Sequence, residues 1–148
     1  MGTQELEPEV AAAKAIATIA HRHQTDKIGI PYIEHPRRVV DGLAVPDARH
    51  LAAAWLHDVI EDCGISESDL IAAGISQEVV DAVALLTRTK ENNGVGYYTA
   101  IRNNPIALAV KLADIKDNMD PARTARLDPG VRTRLSEKYE KAVSALLK

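Results

Sequence analysis

The sequence predicts an all-α fold. Apolar residues recur at three- and four-residue spacing along most of the chain, and no stretch alternates polar and apolar as a half-buried strand would. Pro, Gly, Ser and Asp stand where helices start or stop. At 148 residues the chain is of single-domain size and long enough to bury a core. With no Phe, one Trp and four Tyr, that core is expected to be aliphatic. We expect one domain over residues 1–148, a bundle of about seven or eight helices, with no repeat or linker.

Residues 8–23 read as the first helix, with Pro8 and Glu9 in its opening turn and Val10, Ala13, Ile16, Ala17 and Ala20 on one face. His21 and His23 fall in its last turn, as capping or solvated side chains. Residues 24–31 carry Asp26, Lys27 and Gly29 before a proline and read as a loop. The second helix opens on Pro31-Tyr32-Ile33-Glu34-His35-Pro36 and runs to about Leu43. Pro36 is tolerable only in a first turn, which places His35 at the head of the helix.

Asp47 caps the third helix, whose first turn holds a solvent-facing His50 and whose last turns hold the chemistry. Residues 51–62 are expected to form one continuous helix, stopped by Cys63-Gly64. At 100° per residue, His57, Asp58, Glu61 and Asp62 then lie within roughly 140° of one another and address one point. Three carboxylates there meet the negative end of the helix dipole, an arrangement that wants a cation. A divalent metal would take His and Asp as ligands and leave the remaining carboxylates to handle protons.

After Gly64, Ser66 with Asp69 resembles a capping box and opens a short helix to Ala73. Ser76 and Gln77 start another, with Val79, Val80, Val83, Leu85 and Leu86 as its apolar face. Residues 92–96 read as a flexible run, a lid or an ordinary connection, before a short helix over 97–103. Residues 106–114 are apolar nearly all round, so they should form a buried central helix closed by Asp114, with Asn118 one turn on. Lys111 within it must snorkel or pair, and Asp114 must be paired or bind metal if it is buried. Arg123, Arg126, Arg132 and Arg134 surround a turn at Asp128-Pro129-Gly130, where they hold a phosphate or solvate the surface. A closing helix is expected over 131–147.

A formal charge of −3 leaves no electrostatic footprint for nucleic acid or an anionic membrane. One cysteine, Cys63, excludes an internal disulfide and the Cys-rich zinc frameworks. No apolar run reaches the ~18 residues of a membrane span, and no signal peptide is recognised, so a cytoplasmic location is expected. Ala-rich helix surfaces are compatible with a homodimer.

A His at the head of the second helix, a His-Asp pair on the third and an Asp on a late buried helix resemble the HD-domain metal-dependent phosphohydrolases. The likeness is closer to the RelA/SpoT-type hydrolase domain and the small alarmone hydrolases, which remove the 3′-pyrophosphate from (p)ppGpp. It is carried by Lys27-Ile28-Gly29-Ile30-Pro31-Tyr32-Ile33-Glu34-His35-Pro36, Trp55-Leu56-His57-Asp58-Val59-Ile60-Glu61-Asp62 and Val110-Lys111-Leu112-Ala113-Asp114 with Asn118. The motif-bearing part spans residues 10–125.

The resemblance implies His35, His57, Asp58 and Asp114 as ligands of one divalent metal, typically manganese, with iron or zinc compatible with N/O ligation. It implies Glu61 and Asp62 as the pair that polarises the attacking water, Lys27 as a phosphate contact, and Tyr32, Thr87 and Asn118 as lining of a nucleotide pocket. The chain departs from the family in two places. Asp26 stands where relatives usually carry an Arg that holds the base, and Asp117 where they commonly have an aromatic residue or His before the Asn. Both departures are expected to fall on base and sugar recognition rather than on a metal ligand. An HD phosphohydrolase acting on another nucleotide phosphate or phosphoester, or a nucleotide-binding regulatory module without turnover, are the alternatives.

Overall fold

The computed structural model describes residues 7–91 and 93–148 as ten helices: α1 (Pro8–Ala20), α2 (Glu34–Asp41), α3 (Ala48–Leu56), α4 (Val59–Cys63), α5 (Glu67–Ala72), α6 (Gln77–Leu86), α7 (Val95–Arg102), α8 (Pro105–Asn118), α9 (Pro121–Thr124) and α10 (Pro129–Leu146). Among the described residues the only β pairing is an isolated bridge between Thr25 and Pro31. The all-α expectation therefore holds. The helix count exceeds the expected seven or eight because the third helix is divided and Pro121–Thr124 forms a short turn of its own.

Local signals account for most boundaries. Asp47 accepts a hydrogen bond from the His50 amide and starts α3. Ser66 and Asp69 make the full capping box at α5, Oγ of Ser66 accepting from the Asp69 amide and Oδ2 of Asp69 from the Ser66 amide. Asn104 accepts from the Ala107 amide ahead of Pro105, so α8 begins on a cap followed by proline. Of the 92–96 run, Asn92 lies outside the described residues, and Val95 and Gly96 already belong to α7.

The continuous helix expected over 51–62 is not formed. α3 ends at Leu56, His57 and Asp58 make a turn, and α4 resumes at Val59. The side chain of His57 contributes: its Nδ1 donates to the Ala54 carbonyl at 2.7 Å, satisfying an acceptor that the helix end leaves over. Asp58 becomes the N-terminal flank of α4 with its carboxylate not spent on capping. Gly64, at φ +71°, ends α4 in the left-handed conformation.

α3 and α8 are the packing centre. α3 contacts α1, α2, α6 and α8, and α8 contacts α2, α3, α6, α7 and α10. Ala52, Ala53 and Ala54 of α3 and Ala13 and Ala17 of α1 are fully buried, so small side chains let the backbones approach closely. Val39, Leu56, Val59, Leu70, Val79, Val80, Val83, Ile101, Val110 and Leu146 fill the rest of an aliphatic core, with Tyr97 its largest fully buried side chain. No described helix is long and apolar enough to cross a membrane.

A Cβ built on Gly64 meets no atom within 4 Å, so Gly64→Ala tests backbone conformation alone. It is expected to cost about 1–2 kcal/mol, read as a lower urea midpoint at unchanged slope.

Candidate metal centre and adjoining cavities

The division between α3 and α4 turns His57 and Asp58 toward the same point, with His57 Nε2 3.0 Å from Asp58 Oδ2. From α2, the Nε2 of His35 comes within 3.3 Å of His57 Nε2 and 3.7 Å of Asp58 Oδ2. From α8, Oδ1 of Asp114 lies 2.9 Å from His35 Nε2 and 3.6 Å from His57 Nε2. Ligand atoms of His35, His57 and Asp58 all fall within 4.8 Å of one another, a spacing that could hold a metal ion, and Asp114 Oδ1 stands against the Nε2 atoms of both histidines. Segments up to 79 positions apart thus converge, since His35 and Asp114 sit on helices in direct contact.

Each donor is oriented by a partner behind it. His57 Nδ1 is held by the Ala54 carbonyl and His35 Nδ1 by Oδ2 of Asp117 at 2.7 Å, which leaves both Nε2 atoms facing the centre. Tyr32 donates its hydroxyl to Asp58 Oδ2 at 2.6 Å. Asn118 donates to Asp114 Oδ1 at 3.0 Å, and the buried Lys111 ammonium sits 3.3 Å from Asp114 Oδ2. Lys111 therefore pairs rather than snorkels, with the Tyr97 ring centroid 5.5 Å from its ammonium.

The protonation pattern follows this crowding. Burial opposes ionisation of Asp114, but hydrogen bonds from His35 and His57 and the charges of His57 and Lys111 hold it well below the ordinary carboxylate range. Burial likewise works against Asp58, and His57 outweighs it and lowers that carboxyl. His57 and His35 are raised despite burial, the first chiefly by Asp58 and the second chiefly by hydrogen bonds to Asp114 and Asp117. Tyr32 is pushed up by burial and by Asp58, so its phenol remains a neutral donor.

Two cavities adjoin the centre and share Tyr32, His35, Asn118 and Tyr139. The smaller, about 170 Å³, is lined by the metal-centre side chains and Glu61 together with the cations Arg88, Lys111 and Lys138. Lys138 is lowered by burial and by the charges of Arg88, Lys111 and Lys27, the mark of cations gathered without enough anions. The larger, about 340 Å³, has Lys27, Arg38 and Arg123 as cations and Ile28, Leu127 and Leu135 as apolar wall.

The remaining sequence candidates are distributed unevenly. Glu61 lies on the smaller cavity, its Oε1 accepting from the Arg88 amide at 2.6 Å. Asp62 lines neither cavity; Gln24 donates to it at 3.3 Å, and burial followed by the charge of Asp58 raises its carboxyl. Lys27 lines the larger cavity, and Tyr32 and Asn118 line both. Thr87 lines neither: it is buried at the end of α6 and its hydroxyl donates back to the Val83 carbonyl.

Other expectations are corrected. His21, read as capping or solvated, is buried, with Nδ1 donating to Gln24 at 2.8 Å and its ring 4.9 Å from that of Tyr32. Asp26 lines the larger cavity and also builds the loop, its Oδ1 accepting from the Ile28 and Ile30 amides. The departure at Asp117 touches a predicted ligand after all, since it holds His35. Arg88, Lys138 and Asp117 were missed as site residues. Only Asp117 carried a sequence signal, being three positions from Asp114 on one helix.

A family profile described as the HD domain matches residues 13–107. The chain is 36% identical to a guanosine-3′,5′-bis(diphosphate) 3′-pyrophosphohydrolase of Vibrio cholerae, over 82% of this chain and 19% of that protein. It is 34% identical to a probable GTP pyrophosphokinase of Mycobacterium leprae, over 81% and 16%. It is 33% identical to the bifunctional (p)ppGpp synthase/hydrolase SpoT of Escherichia coli, over 78% and 18%. The chain thus spans less than a fifth of the length of these curated relatives. Its fold is similar to that of a solved structure described as a metazoan orthologue of SpoT that hydrolyses ppGpp, with a TM-score of 0.78, 24% identity, and 97% and 88% of the two chains covered.

The shifts set the stability of the metal-free protein against pH. Asp58, Asp114 and Asp117 lie below their unfolded values of about 3.9, so their contribution is present above that pH and lost as the pH falls through the folded values. His35 and His57 lie above about 6.5, so theirs is complete below that pH and lost as the pH rises through the raised values. Thermal melts in chelator are therefore expected to peak between about pH 4 and 6.5. A Tm that keeps rising to pH 9 would contradict the ion-pair network.

Proposed function

The chain belongs to the HD-domain family, and from that premise we propose a metal-dependent phosphohydrolase that removes the 3′-pyrophosphate from (p)ppGpp or a related nucleotide pyrophosphate. The observation that carries this reading is the convergence of two imidazoles and two carboxylates in a cavity that is also lined by three cationic side chains. A metal centre alone suits many reactions. A metal centre facing Arg88, Lys111 and Lys138 suits a substrate with several phosphate charges.

The donor set fits a divalent first-row ion, because the Nε2 atoms are directed inward by partners on Nδ1 and the carboxylates supply hard oxygen. His35, His57, Asp58 and Asp114 would hold it, and manganese is the ion we propose, with iron and zinc compatible with the same ligands. Bound there, such an ion lowers the pKa of water and offsets charge developing on phosphorus oxygens.

The chain's own groups do the rest. Glu61, on the cavity wall, accepts the proton of the attacking water, whereas Asp62, expected as its partner, lies outside both cavities against Gln24. Arg88, Lys111 and Lys138 hold the pyrophosphate oxygens, while Tyr32 and Asn118 keep Asp58 and Asp114 aimed inward. The larger cavity takes the nucleoside against Ile28, Leu127 and Leu135, with Lys27 toward its phosphates. A second reading keeps the chemistry and changes the base, and Asp26 favours it, because a carboxylate engaged with two loop amides cannot stack as a guanidinium would.

The reading is tested by metal content of the purified protein, then pyrophosphate release from ppGpp, with other nucleotides assayed beside it for phosphate and pyrophosphate separately. Turnover of simple monophosphates alone would remove the alarmone assignment. His57→Ala and Asp58→Ala are expected to lose both metal and activity. Glu61→Gln is expected to retain metal and lose about 10²–10⁴-fold in kcat; full activity in that variant would exclude Glu61 from the proton transfer.

A further inference from the structure

Asp117 is the carboxylate that the sequence reading placed at the sugar and that the fold places behind the metal centre. Its side chain is buried on α8, three positions beyond Asp114. Oδ2 accepts from His35 Nδ1 at 2.7 Å, and Oδ1 accepts from Arg38 Nε at 2.8 Å and Arg123 Nη2 at 2.7 Å. We propose that Asp117 is a positioning residue that fixes the His35 imidazole as an Nε2 metal ligand and strengthens it as a donor. This rests on the metal-centre reading above but not on the identity of the substrate.

An ionised carboxylate can only accept, so the nitrogen it faces must carry the proton. With the proton on Nδ1, the other nitrogen presents its lone pair to the ion, and the negative charge behind the ring raises its basicity. Arg38 and Arg123 complete the device, since two guanidiniums keep a buried carboxylate ionised where burial alone would neutralise it.

The two histidines are therefore not equivalent. His57 is backed by the Ala54 carbonyl, a neutral acceptor that orients the ring without adding charge. His35 is backed by a full carboxylate.

Asp117→Asn keeps the shape of the side chain and removes the charge. Titration of the metal-free variant with Mn²⁺ alone is expected to show about 10–100-fold weaker binding than the original protein; affinity within threefold overturns the proposal. With Zn²⁺ alone as a diamagnetic probe, long-range ¹H–¹⁵N spectra of the original protein are expected to show His35 protonated on Nδ1 and metal-bound through Nε2. The variant should shift the His35 Nδ1–H signal and leave that of His57 in place, a split that general loosening of the site would not produce. If the variant does not fold, the spectrum of the original protein decides: a His35 protonated on Nε2, or a protein that binds neither ion, overturns the assignment. Metal binding weakened as expected, in a protein that hydrolyses no nucleotide, would defeat the proposed activity and leave Asp117 in its role.

Discussion

The structure depends on the burial of Asp114 at the centre of a helical bundle. A carboxylate there is costly unless its charge and lone pairs are met, and here they are met by His35, Asn118 and Lys111. Those partners bind the polar centre to the core around it. The buried ionisable groups of α8, Lys111, Asp114 and Asp117, lie between its middle and its C-terminal end, and α2 and α3 pack against α8 where His35 and His57 meet Asp114. Breaking one partner would leave a buried charge uncompensated, so the polar centre demands completeness as much as it contributes stability.

The division of α3 from α4 is the second constraint. In an unbroken helix His57 and Asp58 would project about 100° apart. The turn brings their donor atoms to 3.0 Å instead, at the cost of helical hydrogen bonding that the His57 side chain and the left-handed Gly64 partly restore. Glu61 and Asp62, consecutive on α4, diverge by the ordinary helical step of about 100°. Glu61 reaches the cavity and the backbone of the segment after α6, while Asp62 turns toward Gln24. Two adjacent carboxylates thereby acquire different surroundings.

Charge around the cavities is assembled from elements with no local relation. Arg88 follows α6, Lys111 belongs to α8 and Lys138 to α10, yet they face one space. Burial first, and then the charges of Arg88 and Lys111, lower the Lys138 ammonium. The closing helix α10 thus lines the cavity through Lys138 and Tyr139.

The sequence by itself determined what short-range physics controls. Helical periodicity, the caps at Asp47, Ser66 and Asn104, the prolines that open α1 and α8 and the glycine that ends α4 are all local, and each is realised where the residues stand. His35, His57, Asp58 and Asp114 were legible as donors because they sit in recognisable strings, although only the tertiary structure brings their atoms together. Tertiary structure alone decided the turn at His57 and Asp58, the inward hydroxyl of Thr87, the loop-building role of Asp26, and the service of Asp117 to a histidine 82 positions away. The reason is that a hydrogen-bond partner or a cavity wall is chosen by packing between distant segments, and nothing in the spacing of neighbours along a chain encodes which remote surface a side chain will meet.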